Sequence, residues 1–284
     1  MAARRFHIVA TRLAFAVILC WAGLASAEAP RRVVSMNLCT DQLAMLLAGP
    51  GQLHSVSDIS LDPRMSAMTE EARDYVINQG LAEEIYLMKP DLVLAGNFTT
   101  RASVAMLRRL GVEVVEFEQA RSLPEIRSNI LRMGEILHRQ SAAREMVAHF
   151  DARLAALQQD SGDRPDAMLY YASGYTSPAG TLSDQILQAA GFDNAAVKAG
   201  LGTQMKIQLE TLAMLDPDIV ITSQPYPGAS RSEAIMQHPV VEALRAELPF
   251  ATVTDSDWVC GTPHVLRAIE SLAETRHRLT KNTP

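Results

Sequence analysis

Residues 83–96 read EEIYLMKPDLVLAG, and residues 210–223 read ETLAMLDPDIVITS. Each stretch opens on a glutamate, Glu83 or Glu210, and then carries apolar residues at helical spacing: Ile85 and Met88 in the first, Leu212 and Leu215 in the second. Pro90 or Pro217 ends the helix, because the proline ring pushes the residue before it out of the helical region. An aspartate follows, and after it a solid aliphatic run, Leu92-Val93-Leu94 or Ile219-Val220-Ile221. Such a run between breakers belongs to a strand buried on both faces, as in a parallel sheet. Helix, proline, aspartate and strand recur wherever a helix meets a parallel strand, so one copy carries little weight. A second echo adds to it: Asp41-Gln42-Leu43 running to Gly49 (DQLAMLLAG) resembles Asp184-Gln185-Ile186 running to Gly191 (DQILQAAG), near the start of each half. Two echoes in the same order imply a duplicated α/β chain, two lobes each with a central, mostly parallel sheet flanked by helices.

The chain has 284 residues, more than the usual single-domain size of about 100–150, with 48% hydrophobic and 20% charged residues. Its first 27 residues read as a secretory signal: Arg4, Arg5 and Arg12 in front, an apolar segment from Leu13 to Leu24, and Ala25-Ser26-Ala27 as a small-residue cleavage pattern. The apolar segment is shorter than the roughly 20 residues that span a bilayer. Cys20 follows Val17-Ile18-Leu19 and not the small residues of a lipoprotein signal, so the expected product is soluble and periplasmic. Without the three leader arginines, 23 basic face 32 acidic residues, a formal charge of −9 that argues against nucleic acid as a partner.

Arg32 to Met36 reads as a first strand, and Asn37-Leu38-Cys39-Thr40 leads into an apolar helix ending at Gly49. Leu53 to Ser57 offers a second strand. From Asp58 to Gly80 the pattern weakens to a hint of helix near Glu70 to Val76, a candidate ligand loop. A helix from Thr99 or Thr100 to Leu110 and a strand from Glu113 to Phe117 follow. Ser122-Leu123-Pro124-Glu125 is a capping box, and apolar residues continue at helical spacing to Leu157 with Ser141 as a second possible cap, as one bent helix or two. The piece from Ser141 to Gln158 alone would be about 27 Å long, enough to bridge two lobes. The breakers Asp160-Ser161-Gly162-Asp163-Arg164-Pro165 precede a strand, Ala167 to Tyr171, that opens the second half. The expected division is a leader at 1–27, an N-terminal lobe at 28–140, an interlobe helix at 141–159 and a C-terminal lobe at 160–284.

Two such lobes joined by a single long helix behind a secretion signal resemble the helical-backbone class of periplasmic substrate-binding proteins, which serve ABC importers of vitamin B12, ferric siderophores and haem. The matching features are the Arg32-Val33-Val34 strand, the KPDLVLAG unit and Ser256-Asp257-Trp258, and the likeness runs from Arg31 to about Leu279. The resemblance implies that Glu83 and Glu210 dock onto arginines of a membrane permease, and charge-assisted carboxylate–arginine pairing suits that role. It also implies a monomer that works with a permease and ATPase complex, without an intrinsic cofactor or catalytic residues. Its ligand would be a metal chelate, a cobalamin or other corrinoid before a ferric siderophore or haem. The tryptophan-rich first-lobe loops of B12 binders and the arginine clusters of catecholate binders are both missing.

Open α/β sheets bind ligands at the carboxyl ends of their strands. That rule points to Asn37, Cys39, Asn97, Tyr175, Tyr226, Asp257, Trp258 and Cys260, the tyrosines and tryptophan offering flat faces and Asp257-Trp258 matching a corrinoid-contacting pair of the family. Cys39 and Cys260 each follow a strand, one per half. Three readings stand: two unrelated thiols, thiolates on a ligand or metal together with His264, or a disulfide. A bridge between lobes would obstruct a bulky chelate, so the order of preference is as given. An enzyme would need a nucleophile and base, and Ser173 or Cys39 with His54, His238 or His264 fits no recognised spacing. A periplasmic ligand sensor and a metal-handling enzyme on the same architecture are the alternatives to an importer component.

Overall fold

The first sheet consists of β1 (Val33–Ser35), β2 (Leu53–Ser57), β3 (Val76–Asn78), β4 (Leu92–Gly96) and β5 (Val114–Phe117), and the second of β6 (Asp166–Leu169), β7 (Asp193–Asn194), β8 (Ile219–Ser223) and β9 (Phe250–Val253). This computed structural model describes residues 28–97, 99–158, 162–224, 232, 234–253 and 255–282, so the proposed leader lies outside the described residues. Every strand pairing is parallel, with strand orders 3-2-1-4-5 and 7-6-8-9. The order 2-1-4-5 of the first sheet thus recurs as 7-6-8-9 in the second, and β3 is an addition at the edge. Helices α1 (Leu38–Leu47), α2 (Thr69–Ala72), α3 (Ala82–Leu87) and α4 (Arg101–Arg109) connect the first set of strands. After β5 come α5 (Leu123–Ile136) and α6 (Gln140–Gln158). The second set carries α7 (Leu182–Ala189), α8 (Ala195–Lys198), α9 (Leu209–Met214), α10 (Pro239–Glu247), α11 (Asp255–Trp258) and α12 (Val265–Asn282).

The Pro-Asp pair has the same task in both halves. The Asp91 carboxylate accepts hydrogen bonds from the backbone N–H of Arg31 at 2.6 Å and of Arg32 at 3.0 Å, while Asp218 Oδ2 accepts from the N–H of Asp166 at 2.7 Å. Each aspartate therefore clasps the start of one central strand, β4 or β8, to the start of its neighbour, β1 or β6. The residue before each proline, Lys89 at φ 51° and Asp216 at φ 44°, takes the left-handed conformation that closes a helix before the strand begins.

Chain passage from the first sheet to the second runs through two helices. Ser122 Oγ accepts from the Glu125 N–H at 3.3 Å, and Glu125 Oε2 accepts from the Arg121 N–H at 2.7 Å, a capping box that starts α5. His138, at φ 54°, lies between α5 and α6. The stretch is two helices, with α6 as the long one. Helices α1, α5, α6, α7 and α12 contribute to one hydrophobic core that includes Val33, Leu92 and Leu94 of the first sheet and Ala167, Leu169, Ile219 and Ile221 of the second. The outer faces are covered separately, by α3 and α4 on the first sheet and by α8, α9 and α10 on the second. One core between two sheets resists a hinge, since opening the lobes would expose apolar surface at about 25 cal/mol per Å².

Candidate functional site

Strands β1, β4 and β5 end at the same edge of the first sheet, and the residues after them wall a cavity of about 360 Å³. Asn37 to Thr40 come from the β1 end, Gly96 and Asn97 from the β4 end, and Phe117 to Gln119 from the β5 end. Ile59 and Met65, from the segment after β2, form another side, and Val259 and Cys260 bring in the second lobe. Asn37 caps α1, its Oδ1 accepting from the Cys39 N–H at 3.1 Å. Gly96 lies directly against that amide: a Cβ at position 96 would come within 2.7 Å of Asn37 Cγ. Only glycine leaves Asn37 in place.

The polar groups of the cavity are tethered. Asn97 Nδ2 donates to Glu118 Oε2 at 2.8 Å, Asn129 Nδ2 donates to the Glu118 carbonyl at 3.0 Å, and Gln119 Nε2 donates to the Val259 carbonyl at 2.6 Å. The last bond crosses between the lobes. One carboxylate, Glu118, and no arginine or lysine lines the cavity among the described residues. Four larger hollows lie elsewhere: those of about 980, 490 and 430 Å³ are at the opposite, amino ends of the strands, beside Pro165 and Asp218, beside Arg31 and Asp91 and beside Pro30 and Gln52, and one of about 400 Å³ is bordered by Tyr86 and Val112. Ligands of open parallel sheets bind at the carboxyl ends, so the smaller cavity is the candidate site.

A family profile described as periplasmic binding protein matches residues 33–247. The chain belongs to the periplasmic binding protein family. A cobalamin-binding protein of Halobacterium salinarum is 24% identical over 255 residues, covering 88% of this chain and 68% of that protein. Among solved structures, the periplasmic haem-binding protein RhuT of Roseiflexus sp. RS-1, in apo form, matches with a TM-score of 0.68 at 19% identity, over 88% of this chain and 98% of that one. The periplasmic vitamin B12-binding protein BtuF of Vibrio cholerae matches with a TM-score of 0.65 at 20% identity, over 89% and 99%. At such identities the structural matches establish the fold.

In this periplasmic binding protein, Cys39 and Cys260 form a disulfide with their Cα atoms 4.9 Å apart, which corrects the preference for free thiols and removes both as thiolate ligands. The expected obstruction does not arise, because the lobes already meet at this point and the bridge is part of the cavity wall. His264, the third metal candidate, is not among the cavity-lining residues. Burial, with the nearby Arg267 guanidinium, holds its imidazole down to about 4, so it is neutral, and its Nε2 is buried without a partner. No group of three or more metal-ligating side chains exists among the described residues.

Asn37 and Asn97 reach the cavity as expected, but other expected contacts lie elsewhere. Trp258 is 9% exposed, belongs to the shared core and meets Tyr171 edge-on at 6.0 Å between ring centroids, so it presents no open face in this structure. Asp257 pairs with Arg267 at 2.8 Å. Tyr175 is exposed but not at the cavity, with Lys206 Nζ 4.2 Å from its ring centroid. Tyr226 lies outside the described residues. Glu118, Gln119 and Asn129 were missed by the sequence reading. The first two directly follow β5, so extending the carboxyl-end rule to that strand finds them, whereas Asn129 sits inside α5 and carries no local signal.

Glu83 and Glu210 are both exposed, each at the second residue of its helix, α3 or α9.

Proposed function

We propose that this chain is the substrate-binding component of an ABC importer, which captures a metal chelate in the periplasm and delivers it to a membrane permease and its ATPase. The lobes are taken as residues 28–140 and 160–284, with 141–159 as the interlobe helix and 1–27 as a cleaved leader. The observation that carries the reading is the mostly apolar cavity at the carboxyl ends of β1, β4 and β5, closed by Val259 and Cys260 of the other lobe. Among the described residues that line it, no nucleophile stands beside a base, and the role proposed for the cavity is capture.

A corrinoid is the favoured ligand. An anionic catecholate chelate calls for arginine, and the cavity offers Glu118 instead. The cobalamin-binding relative points the same way. At about 360 Å³ the cavity lies near the lower end of the range of about 300–1,000 Å³ for small-molecule sites, so it takes one edge of such a ligand and leaves the rest at the mouth. Asn37, Asn97, Glu118 and Gln119 supply the polar contacts. Glu83 and Glu210, at equivalent exposed positions, dock on the permease.

Charge reversal at both glutamates, Glu83→Lys with Glu210→Lys, separates delivery from capture. Uptake by cells should fall to background while chelate affinity of the purified protein stays within twofold. An affinity that falls in step with uptake would place these residues in ligand capture instead.

A further inference from the structure

Helices α3 and α9 are each six residues long, and each ends on the fourth residue after its glutamate: Leu87 after Glu83 and Met214 after Glu210. Both helices bury one residue completely, Ile85 or Leu212, and turn the terminal apolar residue outward. Leu87 is 77% exposed and Met214 is 83% exposed, the highest values for large apolar side chains among the described residues. Residues four apart share one face of a helix, so each apolar side chain stands beside its carboxylate. A single exposed apolar side chain is ordinary on any protein surface. The same position in both copies of a duplicated unit, each time next to an acid without a partner among the described residues, is not accounted for by that. Covering such a side chain would be stabilising, and the fold forgoes this twice.

The surroundings extend both patches. Beside Leu87, Tyr86, Lys89, Pro90 and Val112 border an apolar hollow of about 400 Å³, with Leu81 57% exposed on the same helix start. On the other lobe Met205, 58% exposed, lies in the segment that leads into α9. Methionine adapts to irregular surfaces, a property suited to a contact that must form and break.

We propose that Glu83 with Leu87, and Glu210 with Met214, form a duplicated docking epitope for the outward face of a two-fold symmetric membrane permease. Each acid-and-apolar pair seats on one permease subunit, where a basic group is bordered by an apolar socket. Two copies of one motif match two copies of one surface, and the acids call for a basic partner, which sets this occupant above others. The proposal rests on the docking role given above to the two glutamates and adds an apolar contribution that salt does not screen.

The test measures binding of the full chain to its cognate permease–ATPase complex in lipid nanodiscs, between 0.05 and 0.5 M salt. Leu87→Ser with Met214→Ser should weaken binding at least tenfold at every salt concentration and leave its salt dependence unchanged. Glu83→Ala with Glu210→Ala should flatten that dependence, since the screening length of exposed charges shrinks from about 14 Å to about 4 Å over that range. Leu87→Met with Met214→Leu should restore parental binding. All four positions are exposed, and an unchanged melting temperature confirms folding. If the serine variant binds like the parent while the alanine variant does not, the apolar contribution is overturned and the glutamate role stands; if neither variant loses affinity, both fall. A parent that sediments as a dimer, with a serine variant that sediments as a monomer, would assign the surface to a second copy of this chain and also overturn the proposal.

Discussion

The Asp41 side chain is fully buried in α1. Its Oδ2 accepts from the Ser57 N–H at 3.1 Å, the Ser60 hydroxyl at 2.8 Å and the Ser57 hydroxyl, while Oδ1 has no partner within bonding distance. Loss of solvation outweighs these hydrogen bonds and raises the carboxyl from 3.8 to about 6. The folded state therefore holds this proton more tightly than the unfolded chain. The charged form costs about 3 kcal/mol at neutral pH, and this cost is relieved as pH falls from above 6 to below 4. His264, lowered from 6.5 to about 4, acts in the opposite sense over nearly the same window, so only a difference between variants isolates Asp41. Asp41→Asn keeps an acceptor for the serines, and relative to the parent it should gain up to about 3 kcal/mol of unfolding free energy on going from pH 4 to pH 7. Urea denaturation at both pH values measures this, and parallel curves for parent and variant would reject the raised carboxyl.

At the scale of elements, the repeated Asp-Gln dipeptide joins the halves. Gln42, on α1, accepts through Oε1 from the Thr262 hydroxyl of the second lobe at 3.2 Å, and Gln185, on α7, accepts from the Leu123 N–H of the first lobe at 2.9 Å. Each lobe thus lends a glutamine to the other. Gly261, next to Thr262, takes φ 55° and packs so closely on the first lobe that a Cβ would come within 2.8 Å of Ala120 Cβ. Gln42→Ala and Gln185→Ala should each cost about 1–2 kcal/mol, because the donor left behind is unsatisfied. Chemical denaturation measures both, and losses below about 0.3 kcal/mol would make the pairing incidental. The echo was legible in the sequence but its cross-lobe partners were not, since Thr262 and Leu123 belong to the opposite half of the chain. The long strands β4 and β8 were legible from aliphatic runs between breakers. The short pieces β3, β7 and α8 were not: three, two and four residues are too few to show a period, and Val76 in β3 is 45% exposed. Trp258 read as a ligand face because a loop aromatic gives no sign in sequence of which way it turns, and here it turns into the core.

Across the whole molecule, the shared core and the Cys39–Cys260 bridge both oppose lobe opening. The bridge spans 221 residues, so removing it as Cys39→Ser with Cys260→Ser should lower stability by roughly 2–5 kcal/mol through the freed unfolded chain. The core remains, and the native shape should remain with it: X-ray scattering profiles of parent and double serine variant are expected to superpose. A larger radius of gyration in the variant would mean that the bridge, and not the core, holds the lobes together. The central claim is that the cavity under Gly96 captures a metal chelate. Calorimetric titration of the mature protein with cyanocobalamin, haemin and a ferric hydroxamate tests it most directly, alongside Gly96→Leu, whose side chain would displace Asn37 and fill the cavity. The account predicts one-to-one binding of at least one chelate, cyanocobalamin first, and loss of that binding in the variant; no binding of any of the three, or equal binding by a folded Gly96→Leu protein, would contradict it.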